Sequence, residues 1–232
     1  MKMKFVFFTT VIFLLAGTKL HAQSGGQIRA GINLANVSVN SNGRVVDANS
    51  LTSFQAGIIG DVPLSGGILF LQPGILFTGK GSKIQNGEPS ENGYFKQSSN
   101  PFYIEVPVNL ILKAPLGGDN KFFAGAGPYL AVGVGGKNKT EGKTLLGTYN
   151  TERDIKFSND DPTTLSDEEG AGFGILKRFD YGLNGTVGVE GKSIVLGVNY
   201  GLGLAKLQSG SNNGADNNNK HRVLGITVGF KF

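Results

Sequence analysis

The chain has no cysteine, and its only histidines are His21 and His221 among 232 residues. The absence of cysteine excludes a disulfide framework and any metal site built from thiolates. Beyond residue 22, no apolar run approaches the roughly 20 residues that a membrane-spanning helix needs. Glycine is abundant instead, with 37 residues, which is too many for a helical bundle but common in turns and closely packed strands.

The N-terminus has the pattern of a secretory signal peptide. Lys2 and Lys4 form a short basic region, and residues 5–16 are an apolar run of the length found in such signals. A segment ending in the small residue Ala22 follows, so cleavage after Ala22 is predicted to remove residues 1–22. No cysteine follows this site, so a lipoprotein is not expected, and an uncleaved anchor is the alternative.

The net charge argues against nucleic-acid binding. The whole chain carries 22 − 17 = +5, and removal of Lys2, Lys4 and Lys19 with the signal leaves 19 − 17 = +2. A nucleic-acid-binding protein needs a concentrated basic patch. No nucleic-acid partner is therefore expected.

Alternation with a period of two recurs along the rest of the chain and predicts strands with two different faces. The last strand shows it most clearly: apolar Leu224, Ile226 and Val228 alternate with Gly225 and Thr227. Eight such segments are predicted, each long enough to cross a bilayer as a tilted strand: 27–37, 52–62, 68–80, 102–113, 121–135, 173–190, 194–204 and 222–232. Residues 23–232 are thus predicted to form an all-β, eight-stranded antiparallel up-and-down transmembrane β-barrel.

The links between these segments alternate in length. Those after the second, fourth and sixth segments are short, whereas the others are long and polar. The long ones are predicted outer loops near 38–51, 81–101, 136–172 and 205–221. Bacterial barrels combine short periplasmic turns with long extracellular loops. This predicts an outer-membrane protein whose N- and C-termini lie in the periplasm.

A soluble lipocalin-like barrel or a secreted sandwich would show the same alternation, with the apolar face turned inward. A glycine-rich polar face and an aromatic C-terminus favour the membrane barrel, as do charges confined to the polar face. Six charges are interpreted as structural residues of the barrel lumen: Arg29, Asp61, Lys80, Glu105, Asp180 and Glu190. Their inferred register pairs Arg29 with Asp61 and Lys80 with Glu105.

The chain ends on an aromatic residue that the alternation places on the lipid face. Phe230 and Phe232 are predicted to form the signal that the barrel-assembly machinery recognises. That machinery and outer-membrane lipid are the expected partners, with an unknown protein partner as a further possibility.

Five stretches of sequence resemble the PorT-like outer-membrane β-barrel domain family. In chain order they are AGIN at 30–33, FLQPGILF at 70–77, YIEVPVNL at 103–110, GPYL at 127–130 and RFDYGL at 178–183. The resemblance covers essentially the whole mature chain. It implies an eight-stranded outer-membrane barrel of Gram-negative bacteria, in a family whose namesake assists a protein-secretion system. The shared motifs look structural, so the resemblance implies no functional residues.

Other motifs have simple structural interpretations. Gly142, Lys143 and Thr144 end like a phosphate-binding loop, but Lys137 stands where that loop requires glycine. The acidic segment 159–169 lacks EF-hand spacing, so a solvated loop is preferred over a Ca²⁺ site. The Asn-rich run 212–219 is interpreted as a flexible loop, with surface recognition as the alternative.

His221 is the only histidine of the predicted mature chain, so a Ser–His hydrolase site or a histidine metal site would depend on it alone. Catalytic residues, cofactors and metals are accordingly not expected. The predicted function is a non-enzymatic outer-membrane barrel with a structural or interaction role through its surface loops. The alternatives are an assembly component of a protein-secretion system and a narrow pore, although eight strands enclose an interior only wide enough for side chains.

Overall fold

The computed structural model describes residues 25–41, 44–47, 50–158, 175–207 and 219–232. The predicted signal peptide, the acidic segment 159–169 and all but the last residue of the Asn-rich run lie outside these residues. No α-helix within the described ranges has the length and apolar character needed to span a bilayer.

Eight long strands close into one antiparallel barrel. In chain order they are β1 (Gly25–Ser41), β3 (Leu51–Ser65), β4 (Leu69–Gly79), β6 (Phe95–Gly117), β7 (Asn120–Thr144), β11 (Phe179–Glu190), β12 (Ile194–Gly203) and β13 (Lys220–Lys231). Each strand pairs with the next in the chain, and β13 pairs with β1 to close the circle. The predicted eight-stranded up-and-down barrel is confirmed.

Five shorter strands lie at one end of this barrel: β2 (Arg44–Asp47), β5 (Ser82–Asn86), β8 (Gly147–Asp154), β9 (Lys156–Phe157) and β10 (Ile175–Leu176). We call this the upper end. The first and last residues of the barrel lie at the opposite, lower end, where Phe232 N donates to Gly26 O at 2.9 Å. The lower end also carries three short turns. In one of them Gly66 and Gly67 have φ of +60° and +67°, which a tight hairpin turn requires.

Three of the predicted outer loops are largely strand in the residues that the structure describes, and β2 lies within the first of them, 38–51. β5 lies within 81–101 and β8 within 136–172, and β6 and β7 continue upward to pair as far as Phe95 and Gly142. We call β5, β8 and these paired upper ends the extension. Its residues are polar on both faces, so the alternation that predicted the other strands is missing. β5 and β8 are held by their pairing with β6 and β7, which continue from the barrel.

The sixth predicted span also begins later than expected. The chain bends at Arg178, and β11 starts at Phe179 rather than at residue 173. The apolar character of the preceding residues has another cause, since Ile175 and Leu176 are buried in the short parallel pair of β9 and β10.

The barrel is apolar outside and polar inside. Along β13, Ile226 is 61% exposed while the adjacent Thr227 is 2% exposed. The apolar belt consists of the large apolar side chains that the barrel strands and their ends expose outward: Ile28, Ile32, Leu34, Phe54, Ile58, Ile75, Phe77, Ile104, Val106, Val108, Leu110, Leu112, Phe122, Leu130, Val132, Val134, Phe179, Tyr181, Leu183, Val187, Val189, Ile194, Leu196, Val198, Tyr200, Leu204, Leu224, Ile226, Val228 and Phe230. A soluble barrel or sandwich would bury this surface, so the two soluble alternatives are excluded.

Candidate functional site: the polar interior of the barrel

The upper half of the lumen holds an ion cluster around one lysine. Lys80 Nζ lies 2.7 Å from Glu105 Oε2 and 2.9 Å from Asp180 Oδ2. Tyr129 donates its hydroxyl hydrogen to Asp180 at 3.1 Å, and Asn184 donates to Glu105 at 2.8 Å. We call these five residues the upper ion cluster. Lys80 directly follows β4, whereas its partners come from β6 and β11, so the cluster ties distant strands together across the lumen.

Aromatic rings complete this cluster. Lys80 Nζ lies 3.9 Å from the centroid of the Tyr129 ring and 5.6 Å from that of Tyr103. His221 packs edge-on against Tyr103, and its Nε2 lies 3.4 Å from the tyrosine hydroxyl. The buried His221 contacts no serine hydroxyl or carboxylate within hydrogen-bond distance among the described residues. Its surroundings are those of a packed ring, and the geometry of a Ser–His nucleophile is not formed there.

A second ion cluster fills the lower half. Lys113 Nζ lies 2.9 Å from Asp61 Oδ2 and 2.8 Å from Glu190 Oε2. Lys231 approaches the other oxygen of Glu190 at 3.4 Å, and Gln72 donates to Asp61 at 2.6 Å. We call these five residues the lower ion cluster. Lys113 here has the same role as Lys80 above, because it holds two carboxylates from different strands.

All six charges predicted for the lumen are buried inside the barrel, each with at most 6% of its surface exposed. Lys80 and Glu105 are in contact, the arrangement that the inferred register assigned to them. Arg29 and Asp61 form no direct salt bridge in the described structure. Arg29 Nη2 instead donates to Gln27 on its own strand at 2.9 Å, and its guanidinium lies 5.8 Å from the Phe123 ring centroid.

Both oxygens of Asp61 have other donors. One accepts from Lys113 and the other from Gln72. Sequence reasoning overlooked Lys113, although a signal was present. Lys113 stands eight residues after Glu105 on the same strand, and the period of two puts both side chains on the same face.

The charges of the interior balance. Arg29, Lys80, Lys113 and Lys231 supply four positive charges, and Asp61, Glu105, Asp180 and Glu190 supply four negative ones, so 4 − 4 = 0. Burying a charge is costly unless it is paired and hydrogen-bonded. The balance therefore allows a narrow lumen to contain eight ionised groups.

Between the two clusters lies a layer of uncharged polar side chains. Asn33 donates to Thr78 at 2.9 Å, Thr186 donates to Asn199 at 2.6 Å, and Asn199 donates to Thr227 at 3.3 Å. A cavity of about 50 Å³ adjoins this layer. That volume and its polar lining suit a few ordered water molecules rather than an organic substrate.

An apolar cap covers the upper ion cluster. Its members are Val37, Ile155, Leu176 and Leu207, with Phe157 packed against them. The Phe157 ring contacts Tyr103 edge-on, with 5.6 Å between ring centroids. The cap, the upper ion cluster, the polar layer and the lower ion cluster thus follow one another along the lumen.

The other sequence motifs lie away from the lumen. Gly142 and Thr144 pair with β8 in the hairpin of the extension, where no helix follows as a phosphate-binding loop requires. Within the described ranges, no group of three His, Cys, Asp or Glu side chains is placed to hold a metal ion. Phe230 and Phe232 lie on the outer face at the lower end, 61% and 75% exposed.

Three solved structures align with most of the chain at low sequence identity. The chain aligns over 90% of its length with the crystal structure of Ail of Yersinia pestis, solved with the heparin analogue sucrose octasulfate, at 10% identity and a TM-score of 0.38, covering 99% of that chain. Neisserial surface protein A aligns over 89% of this chain and 95% of its own, at 14% identity and a TM-score of 0.39. OprG of Pseudomonas aeruginosa aligns over 91% of this chain and 97% of its own, at 10% identity and a TM-score of 0.40.

No curated protein matches the chain in sequence. A sequence profile described as "outer membrane protein beta-barrel domain" matches residues 22–209, more than three quarters of the chain. Together with the apolar belt and the polar lumen, this match establishes that the chain belongs to the outer membrane protein beta-barrel domain family and is an outer-membrane β-barrel protein.

Proposed function

We propose that this protein is a non-enzymatic outer-membrane barrel with a closed lumen, whose structural or interaction role is exercised at its upper surface. The observation that carries the proposal is the filled interior. Lys80 and Lys113 sit among carboxylates in two layers of the lumen, and the apolar cap covers the upper layer. An interior occupied in this way favours a scaffold over a pore.

The proposed orientation puts the lower end in the periplasm. The first and last residues of the barrel and the short turns lie there, whereas the extension and the apolar cap lie at the upper end. Bacterial barrels generally have their short turns in the periplasm and their longer connections outside. The extension would then project from the cell surface.

The extension supports an interaction role. Within the described residues, β5 and β8 each pair with a strand on one side only, so each presents a free edge. Unpaired edge strands are templates for pairing with another chain. The hairpin tip adds Leu145 and Leu146, which are 87% and 100% exposed and stand apart from the apolar belt. Such exposed leucines in a polar segment favour contact with a partner.

A more specific form of this proposal is that the chain belongs to the PorT-like group and helps to assemble a protein-secretion system. It is supported by the sequence stretches at 70–77 and 103–110, which form parts of β4 and β6, and by the free edges of the extension. A narrow pore is the competing function, and the filled lumen argues against it.

Planar-bilayer recording tests the closed lumen. We expect no resolved conductance steps from the purified barrel, because the ion clusters occupy two layers of the lumen and the apolar cap covers the upper one. Steady unitary conductance from the unaltered protein would contradict the proposal.

Site-specific photo-cross-linking in cells tests the interaction role. A photo-reactive amino acid in place of Leu146 is expected to give a protein adduct, because this tip stands in the polar extension. The same amino acid in place of Ile226, in the apolar belt, serves as the control and is expected to give none. Equal labelling at both positions, or none at Leu146, would count against a partner at the extension.

A further inference from the structure

Cations are concentrated on one side of the upper rim of the barrel. We call Lys177, Arg178, Lys206, Lys220 and Arg222 the basic rim; they lie at the upper ends of β11, β12 and β13. Two backbone hydrogen bonds hold these three segments side by side. Lys177 N donates to Leu207 O at 2.7 Å, and Leu207 N donates to Asn219 O at 3.1 Å.

The side chains of the rim turn away from the lumen. Ala205 and Leu207 are buried, so Lys206 between them lies on the outer face. Asn219 and His221 are likewise buried, which puts Lys220 on the outer face as well. Because side chains alternate along a strand, these lysines continue the outward rows of the apolar belt that end in Leu204 and Leu224.

The rim carries no balancing negative charge within 175–181, 204–207 and 219–224. The single carboxylate in these ranges, Asp180, points inward to Lys80. Arg222 donates from Nη1 to the carbonyl oxygens of Gly203 and His221, both at 2.8 Å, which fixes its guanidinium at the rim without neutralising it. Arg178 donates from Nη2 to the carbonyl oxygen of Phe157 at 3.4 Å.

The lysines of the extension provide a contrast. Lys139 and Lys137 both contact Glu152, and Lys96 contacts Glu141 at 3.1 Å. Lys96, Lys137 and Lys139 each have a carboxylate partner, although Lys137 and Lys139 share one. Among the described residues, the cations of the basic rim have no carboxylate partner and lie directly above an apolar surface.

We propose that the basic rim binds the phosphate groups of a glycolipid in the outer leaflet. Phosphates at the headgroup level would meet Lys206 and Lys220, while the acyl chains would lie along Leu204 and Leu224. Clustered basic residues beside a membrane recognise phosphorylated headgroups in this way. Aromatic residues mark the boundary of a barrel's apolar band, and Tyr181 stands just below the rim. The assignment of the leaflet rests on the orientation proposed above.

A soluble anion would find a poorer site. The rim cations are spread over the outside of three strands, whereas a free phosphate is usually enclosed by several donors. The apolar surface immediately below is useful only to a ligand that also carries acyl chains.

Native mass spectrometry of the purified barrel with lipid A, a diphosphorylated glycolipid, tests the proposal. The double variant Lys206→Gln/Lys220→Gln is expected to reduce the apparent affinity for lipid A by about tenfold or more, since each basic residue near a charged membrane contributes appreciably to binding. The control variant Lys83→Gln/Lys192→Gln also removes two positive charges, one from β5 and one from a lower turn. It is expected to bind lipid A like the unaltered protein. Heat-modified gel mobility confirms that both variants are folded.

Three outcomes would overturn the proposal. One is unchanged lipid A binding in the rim variant, and another is an equal loss in the control variant. The third is displacement by millimolar inorganic phosphate, which would mark a soluble-anion site. Loss of phosphatidylglycerol binding equal to that of lipid A would overturn the glycolipid assignment alone. The closed lumen, which is tested by conductance, would be unaffected.

Discussion

Two lysines each join three strands across the lumen. Lys80 follows β4 and contacts Glu105 of β6 and Asp180 of β11, and Lys113 of β6 contacts Asp61 of β3 and Glu190 of β11. Without Lys80, Glu105 and Asp180 would both lose their counter-charge. Without Lys113, Asp61 would lose its counter-charge, whereas Glu190 would keep Lys231 at 3.4 Å. At the residue scale, the lysines therefore matter more to the interior than any single carboxylate.

A double-mutant cycle on Lys80 and Glu105 tests this coupling. Lys80→Met and Glu105→Gln are each expected to destabilise the barrel, by up to about 3–5 kcal/mol where the site is dry and by less where water enters. The double variant should lose less stability than the sum, because each single change already removes the charged contact between the two groups. Thermal unfolding in detergent gives the four stabilities. If the losses of the two single variants add up to that of the double variant, the 2.7 Å contact between Lys80 and Glu105 contributes nothing to stability.

The assembly role of Phe232 is a second prediction at this scale. Its ring lies on the outer face, and its backbone pairs with Gly26 where the barrel closes. Phe232→Asp is expected to reduce the amount of barrel recovered in the outer membrane, because a charge replaces an aromatic end on the lipid face. Phe232→Tyr keeps the ring and should assemble normally. If the aspartate variant is recovered in the outer membrane as well as the unaltered protein, Phe232 has no role in assembly.

At the scale of the element, the strands differ in how well the sequence predicts them. Alternation predicts the spans and their faces, because one side of each barrel strand meets lipid and the other the lumen. It cannot predict β5 and β8, which have no apolar face. Nor can it predict the lumen contacts, since Lys80–Asp180 and Lys113–Glu190 join strands that are not neighbours in the sheet.

The upper hairpin of β7 and β8 has a pH dependence that follows from one carboxylate. Hydrogen bonds from Lys137 and Lys139 hold the pKa of Glu152 below its usual value, and that of Lys137 is raised in return. A lowered carboxylate pKa stabilises the folded hairpin above the unfolded pKa of glutamate, and the effect is lost as the pH falls through the folded pKa.

Amide hydrogen exchange of the unaltered protein and Glu152→Gln measures this effect. At neutral pH the variant is expected to exchange faster in β8, and the difference should vanish in acid, where Glu152 is protonated. The comparison at each pH cancels the intrinsic change of exchange rate. A difference that persists unchanged in acid would show that Glu152 acts by some means other than its charge.

At the scale of the whole molecule, the protein is inverted relative to a soluble one. Its apolar belt faces outward, its interior holds four positive and four negative charges, and its barrel strands have no free edge in the closed circle. Such a molecule is stable only where lipid or detergent covers the belt. The stability of the fold therefore depends on what surrounds the outward side chains.

Nitroxide accessibility in lipid vesicles tests this claim most directly. The chain has no cysteine, so a single introduced cysteine is labelled without background. Labels at Ile226 and Val228 are expected to collide readily with oxygen, which dissolves in lipid, and rarely with a water-soluble nickel complex. Labels at Leu146 and Lys206 should show the reverse. If Ile226 and Val228 are accessible to nickel, or are shielded from both reagents, the apolar belt does not face lipid and the account is contradicted.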